Sequence, residues 1–194
     1  MQKHKLIKKQ FSDIWMRIKK RMLQPDSQSY KDFTIKAKLT DLDAVEKAII
    51  ALEAKFVGED VQTDHYFETS KGKLKWREGT IENLITHYER FLEAGIERTT
   101  VYRYDLNPSK SEIDELFQNQ KIIGIVKKTR RIYSIQNIKI HLDLLPNHEK
   151  FIEIEAIDRS GKFTIDELRD QCLTMKAKLR IADHDLIPTG YLKI

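Results

Sequence analysis

The chain is poor in the residues that staple or anchor a protein. Its 194 residues hold one cysteine, Cys172, which excludes an internal disulfide and any multi-cysteine zinc site and points to a reducing cytoplasm. No apolar run approaches the roughly 20 residues of a membrane span. The basic N-terminus also lacks the apolar stretch of about 7–15 residues that marks a secretory signal. Acidic residues are scarce at the N-terminus. Residues 1–23 carry eight lysines and arginines against Asp13, a local charge of +7 in a chain whose total is +5. The body is therefore near neutral at −2, and basicity belongs to the tail.

What is present suits a soluble globular protein: 40% apolar and 34% charged residues. The length fits one well-filled domain plus an appendage. Residues 1–30 read as a basic amphipathic helix and linker, and residues 31–194 as the domain. In the helix, over 5–23, Ile7, Phe11, Ile14, Trp15, Ile18 and Met22 recur at helical spacing. Such a helix packs on its own domain, lies on an anionic membrane, docks in a partner's groove, or is exchanged within a homodimer. It has no base-reading motif, so nucleic acid is not favoured.

From Phe33 the apolar period changes to two. Strands are expected around Phe33–Lys38, Gln62–Glu68, Lys73–Glu78, Glu82–Phe91, Arg98–Leu106, Ile122–Tyr133, Asn137–Leu145 and Phe151–Asp158. Helices are expected over Leu42–Phe56 after Thr40 or Asp41, over Ser111–Asn119, and over Ile165–Leu179, where Thr164 and Glu167 form a capping-box pattern. The class is α+β, and eight antiparallel strands suffice for a closed or nearly closed barrel with flanking helices.

Alternation puts like charges together. Lys36 and Lys38 share a strand face, as do Lys75 and Arg77, and Lys128 and Arg130. Tyr88 falls beside Arg90, and Lys139, His141 and Asp143 face away from Ile138, Ile140 and Leu142. Glu153 and Glu155 stand together on FIEIEAI. Any one pair is most simply a solvated face. Facing like charges destabilise a sheet, however, so the series points to a wet barrel interior that takes a polyanion. Paired lysine and arginine suit phosphate oxygens, and paired carboxylates suit Mg²⁺ or Mn²⁺. His141 is the imidazole of that face and a candidate general base.

The ordered series T-x-K-x-K, K-x-R, Y-x-R, K-x-R, a lone Asp, then E-x-E resembles the CYTH superfamily of class IV adenylate cyclases and thiamine triphosphatases. QTDHYFETSKGKLKWRE, GIVKKTRRIY and IHLDLLPNHEKFIEIEAI are similar to its cyclase-like branch. The resemblance covers about residues 33–192. It implies an eight-stranded triphosphate tunnel that binds a nucleoside or other triphosphate with a divalent metal, Mg²⁺ or Mn²⁺. The activity implied is a cyclase or a triphosphate hydrolase. Carried over, Lys38, Lys75, Arg77, Arg90, Lys128 and Arg130 bind phosphate, with Lys38 ending the first-strand signature E-x-E-x-K and Lys36 adding a further phosphate-binding cation beside them. Glu153, Glu155 and Asp143 hold the metal, and Lys38 and His141 are the catalytic candidates. Asp64 and Tyr66 match a D-x-Y-F-like strand. The signature departs from the pattern, with Thr34 and Lys36 where two glutamates are expected. That departure favours the alternative of a degenerate nucleotide- or polyphosphate-binding module.

Overall fold

The structure, a computed structural model, describes residues 30–93, 96–188 and 190–191. The helix expected over residues 5–23 lies outside the described residues. Eight strands run β1 (Lys31–Leu39), β2 (Lys55–Phe67), β3 (Lys73–Gly79), β4 (Leu84–Glu93), β5 (Ile96–Leu106), β6 (Ile122–Ile135), β7 (Ile138–Leu144) and β8 (Lys150–Asp158). Helix α1 (Leu42–Ala51) follows β1, α2 (Lys110–Phe117) follows β5, and α3 (Ile165–Lys178) follows β8. All the strand pairings are antiparallel, and the order β1-β5-β4-β3-β2-β6-β7-β8 closes into a barrel.

Local chemistry sets the helix starts. Asp41 accepts a hydrogen bond from the Ala44 amide at 3.0 Å. Ser109 with Glu112, and Thr164 with Glu167, form reciprocal capping boxes. The first helix is shorter than expected. It ends at Ala51, Glu53 takes a left-handed φ of 57°, and β2 has begun by Lys55. Tertiary pairing decides the difference: β2 is laddered to β6 from Lys55↔Ser134 to Phe67↔Ile122, and Phe56 packs on Tyr133 at 5.1 Å between ring centroids.

The apolar core lies outside the barrel. Phe33, Ile35 and Ala37 of β1, Ile138, Ile140 and Leu142 of β7, and Ile152, Ile154 and Ala156 of β8 are buried with Leu168, Cys172 and Met175 of α3 and Leu42 and Ile49 of α1. Burying a large aliphatic side chain contributes roughly 1.5–3 kcal/mol, so this outer layer carries much of the fold's stability. A smaller cluster of Phe67, Leu74, Ile85 and Phe117 seats α2 against β2, β3 and β4. Both faces of β1, β7 and β8 are therefore buried, the outer by helices and the inner by the closed wall.

One seam needs help. β1 pairs with β5 only as far as Thr34↔Glu97. Beyond it the C-terminal segment takes over: Leu186 bridges Ala37, and the Ile187 amide donates to the Lys36 carbonyl at 2.8 Å.

Candidate functional site

The alternate residues of the strands line one cavity inside the barrel. Lys36, Lys75, Arg77, Arg90, Lys128, Arg130, His141, Glu153 and Glu155 all face it. At its centre Asp64 gathers three cations. Arg77 grips it with two bonds (Nε to Oδ1 at 2.7 Å, Nη2 to Oδ2 at 3.1 Å), Lys128 Nζ lies 2.6 Å from Oδ2, and Lys75 Nζ 3.5 Å. Burial alone would raise the Asp64 carboxyl, but Arg77, Lys128 and Lys75 outweigh it and hold the group well below its ordinary value. The lysines move the other way. Burial lowers Lys128 to about 8 despite Asp64, and burial with Arg77 lowers Lys75 well below its ordinary value.

Arg130 organises the neighbouring wall. Its Nε and Nη2 meet both oxygens of Asp143 at 2.6 Å, and Nη2 also donates to Glu153 Oε2 at 2.7 Å. Burial would raise Asp143; Arg130 outweighs it and brings the carboxyl down to about 2. Glu153 is likewise held well below its ordinary value, burial being outweighed by Lys36 at 3.4 Å and by Arg130. Arg90 spans Glu97 at 2.8 Å and Glu153 at 3.2 Å.

The same arginine fixes the His141 tautomer. Arg130 Nη1 is 3.0 Å from His141 Nδ1, and a guanidinium only donates. Nδ1 must therefore accept, with Glu153 Oε2 3.8 Å away and beyond hydrogen-bond reach. The ring proton sits on Nε2, which is buried without a partner. His141 thus offers an N–H to the cavity. In this ligand-free arrangement the lone pair at Nδ1 is taken by Arg130 and the cavity meets the Nε2 proton.

A turn and the C-terminal segment complete the wall. Asp60 accepts the amides of Thr80, Ile81 and Glu82 at 2.6–2.9 Å, and so tethers the β3–β4 turn that presents Glu82 to Arg77 at 2.8 Å. Gly79 permits this approach: a Cβ there would lie 2.6 Å from the Glu82 carbonyl oxygen. Tyr191 enters from the C-terminal segment, its hydroxyl donating to Asp143 and its ring lying 4.1 Å from Lys36 Nζ.

Two expected site residues stand apart. Lys38 shares the face of Lys36 but lies past the end of the cavity, 57% exposed and paired with Glu149 at 2.9 Å. Asp143 is fully buried on Arg130 and Tyr191 and is not among the residues that line the cavity. A different acid takes a place at the lining. Asp32 faces the cavity, with Thr34 Oγ1 donating to it at 3.3 Å. Burial and the charge of Glu155 raise its carboxyl to about 7. Asp32, Thr34 and Lys36 continue one alternation, the signal that starting the strand at Phe33 passed over. Glu82, Tyr30, Tyr104, Arg159 and Tyr191 also line the cavity from turns and strand ends, where no period marks them.

A carboxylate-lined corner fits a hard divalent cation. Ligand atoms of His141, Glu153 and Glu155 lie within 4.8 Å of one another, and the repulsion between Asp32 and Glu155 is relieved by positive charge placed between them. With the proton on His141 Nε2, the fitting donors of that cluster are the oxygens of Glu153 and Glu155, which suit Mg²⁺ or Mn²⁺, and the Asp32 carboxyl adds negative charge beside Glu155.

The CYTH domain profile matches residues 33–191. The chain belongs to the CYTH domain family. Solved structures agree with this CYTH barrel. PH1012 of Pyrococcus horikoshii is 26% identical, with coverage of 82% of this chain and 96% of that one and a TM-score of 0.70. A candidate adenylate cyclase of Vibrio parahaemolyticus is 17% identical, covering 84% and 97%, with a TM-score of 0.68. HpAC1 of Hippeastrum, with a dominant triphosphatase activity, is 12% identical, covering 84% and 92%, with a TM-score of 0.54. The last two identities show the fold alone. No curated protein matches the chain. Among the described residues, no helix is long and apolar enough to cross a membrane.

Proposed function

We propose that this CYTH barrel binds a triphosphate along its cation wall and processes it with a divalent metal, by hydrolysis or by cyclisation of a nucleotide. One observation carries the reading: buried donors that face the cavity without acceptors, His141 Nε2 and Arg90 Nε, stand among lysines and arginines. An unpaired buried donor costs about 1–3 kcal/mol, and phosphoryl oxygens supply the missing acceptors. The phosphates compete with Asp64 for Lys75, Arg77 and Lys128, while Lys36, Arg90 and Arg130 flank Glu153. Glu153 and Glu155, with the Asp32 charge beside them, would hold the metal, which would supply charge neutralisation at the reacting phosphate. The wall then holds the chain extended for in-line attack and stabilises charge as it develops. Water attack releases a shortened phosphate, and attack by a ribose hydroxyl releases pyrophosphate with ring closure. The triphosphatase activity of HpAC1 and the candidate cyclase description of the Vibrio protein are consistent with those two outcomes.

We propose further that the family's first-strand signature runs through Asp32, Thr34 and Lys36 rather than ending at Lys38. On this register one acid is retained, shortened to Asp32, and the other is replaced by Thr34. That single loss favours the second reading, a tunnel that binds without turnover. Thermal unfolding with tripolyphosphate or ATP, each with and without Mg²⁺ or Mn²⁺, tests binding. A ligand at 100 times its Kd adds about 2.7 kcal/mol. Product analysis then separates the readings: released phosphate or a cyclic nucleotide supports the enzyme, and stabilisation without product supports the binder. Failure of every polyphosphate to stabilise the protein overturns both.

A further inference from the structure

The cavity has a second, chemically distinct end. Tyr30 precedes β1, Arg159 follows β8, and Tyr104 sits near the C-terminal end of β5. Because β1 is antiparallel to both β5 and β8, these three residues meet at one end of the barrel. The Tyr30 and Tyr104 rings pack edge to face at 5.6 Å, and the exposed Arg159 guanidinium lies over both, at 4.7 and 4.6 Å from their centroids. Leu84, Val101 and Ile157 line the same end of the cavity. Tyr191 occupies the opposite end, where its ring meets Lys36 and Phe151, near the end of β1 and the start of β8. Along β4, Thr86, the partner of Tyr104, is four residues from Arg90, about 13 Å of extended strand.

We propose that Tyr30, Tyr104 and Arg159 form a stacking site for a nucleobase, so that the barrel takes nucleoside triphosphates in preference to inorganic tripolyphosphate. This rests on the triphosphate reading of the cation wall and adds the group that the phosphates carry. A phosphate chain gains nothing from aromatic and aliphatic walls. A planar base gains stacking on tyrosine and on the flat guanidinium, and sequence-tolerant base stacking is lost on truncation of the aromatic residue. The guanidinium also selects among planar groups: it repels a thiazolium cation and accepts a neutral base.

The test is calorimetric titration of the full chain with ATP, tripolyphosphate and thiamine triphosphate, all with Mg²⁺. The variants are Tyr104→Ala, Arg159→Ala and Tyr104→Trp, each checked for an unchanged melting temperature. Tyr104→Ala should weaken ATP about tenfold, with tripolyphosphate unchanged. Arg159→Ala should weaken ATP less, and Tyr104→Trp should keep wild-type ATP affinity while serving as the control should the alanine variant fold poorly. If Tyr104→Ala weakens ATP and tripolyphosphate equally, or neither, the stacking site is overturned and the cation wall stands. Tighter binding of thiamine triphosphate than of ATP by the wild type also overturns it. Wild-type protein that binds neither ATP nor tripolyphosphate overturns the triphosphate reading itself, and the stacking site with it.

Discussion

Around Asp64 three cations share one buried carboxylate, whereas at Asp32 and Glu155 two carboxylates crowd together and one of them is driven up to about 7. Both clusters sit on the same inner wall, yet their charge needs are opposite. The first holds surplus positive charge already tied to an internal partner, so an incoming anion must compete for it. The second holds crowded negative charge that an added cation relieves. A site for a metal–phosphate pair needs both imbalances side by side, because each ligand then neutralises the half that the other cannot.

The largest effect expected from disturbing this arrangement is at the cation half. Asp64→Ala leaves Lys75, Arg77 and Lys128 without their shared carboxylate. Breaking a buried pair by removing one partner costs about 3–5 kcal/mol. Urea unfolding should show that loss, and tripolyphosphate should restore more stability to this variant than to the wild type. A variant as stable as the wild type would mean that the cluster is not electrostatically tied.

At the acidic half the sign reverses. Asp32→Asn removes a repelling charge, so the metal-free protein should gain about 1 kcal/mol while its stabilisation by Mn²⁺ shrinks. Loss of stability with an unchanged Mn²⁺ response would separate Asp32 from the metal corner.

A pH effect follows from Lys128, whose folded value of about 8 lies below the ordinary 10.5. Below pH 8 both the folded and the unfolded chain carry the proton. Between about 8 and 10.5 the unfolded chain binds it and the folded chain does not, so this group's contribution to stability rises with pH. Anion binding runs the other way, since the lysine must be charged. Tripolyphosphate affinity should fall as pH rises through 8, with proton uptake visible as a buffer-dependent heat. Affinity flat from pH 7 to 9 would separate Lys128 from the phosphates. Smallest of all, Lys38→Ala breaks one exposed pair with Glu149. It should change stability by less than about 1 kcal/mol and leave polyphosphate affinity unchanged; a loss of affinity would return Lys38 to the site.

Much of this is legible in the sequence. Period-two alternation separated the inner residues of nearly every strand from the outer ones, because side chains on a closed wall have only two directions to take. The same symmetry explains the Lys38 assignment. Sliding a motif by one residue flips its face, but sliding it by two preserves the face. The alternation alone therefore could not choose between Lys36 and Lys38 as the lysine of the signature; the end of the cavity supports the proposed choice of Lys36. Partner identity was hidden too. The chain shows that Arg130 and Asp143 face inward, not that they are clamped together, since that depends on the β6–β7 register Arg130↔Asp143. Tyr191 lay furthest from reach, because a tail that folds back into a barrel carries no repeating pattern.

Because the packed layer lies outside the barrel and the charged one inside, neighbouring letters along β1 answer to different selective demands. Phe33, Ile35 and Ala37 govern whether the polypeptide holds together, while Asp32, Thr34 and Lys36 govern what it can hold. Drift or directed evolution can rewrite the second set with little penalty in the first, so one robust shell can be refitted for new phosphorylated guests.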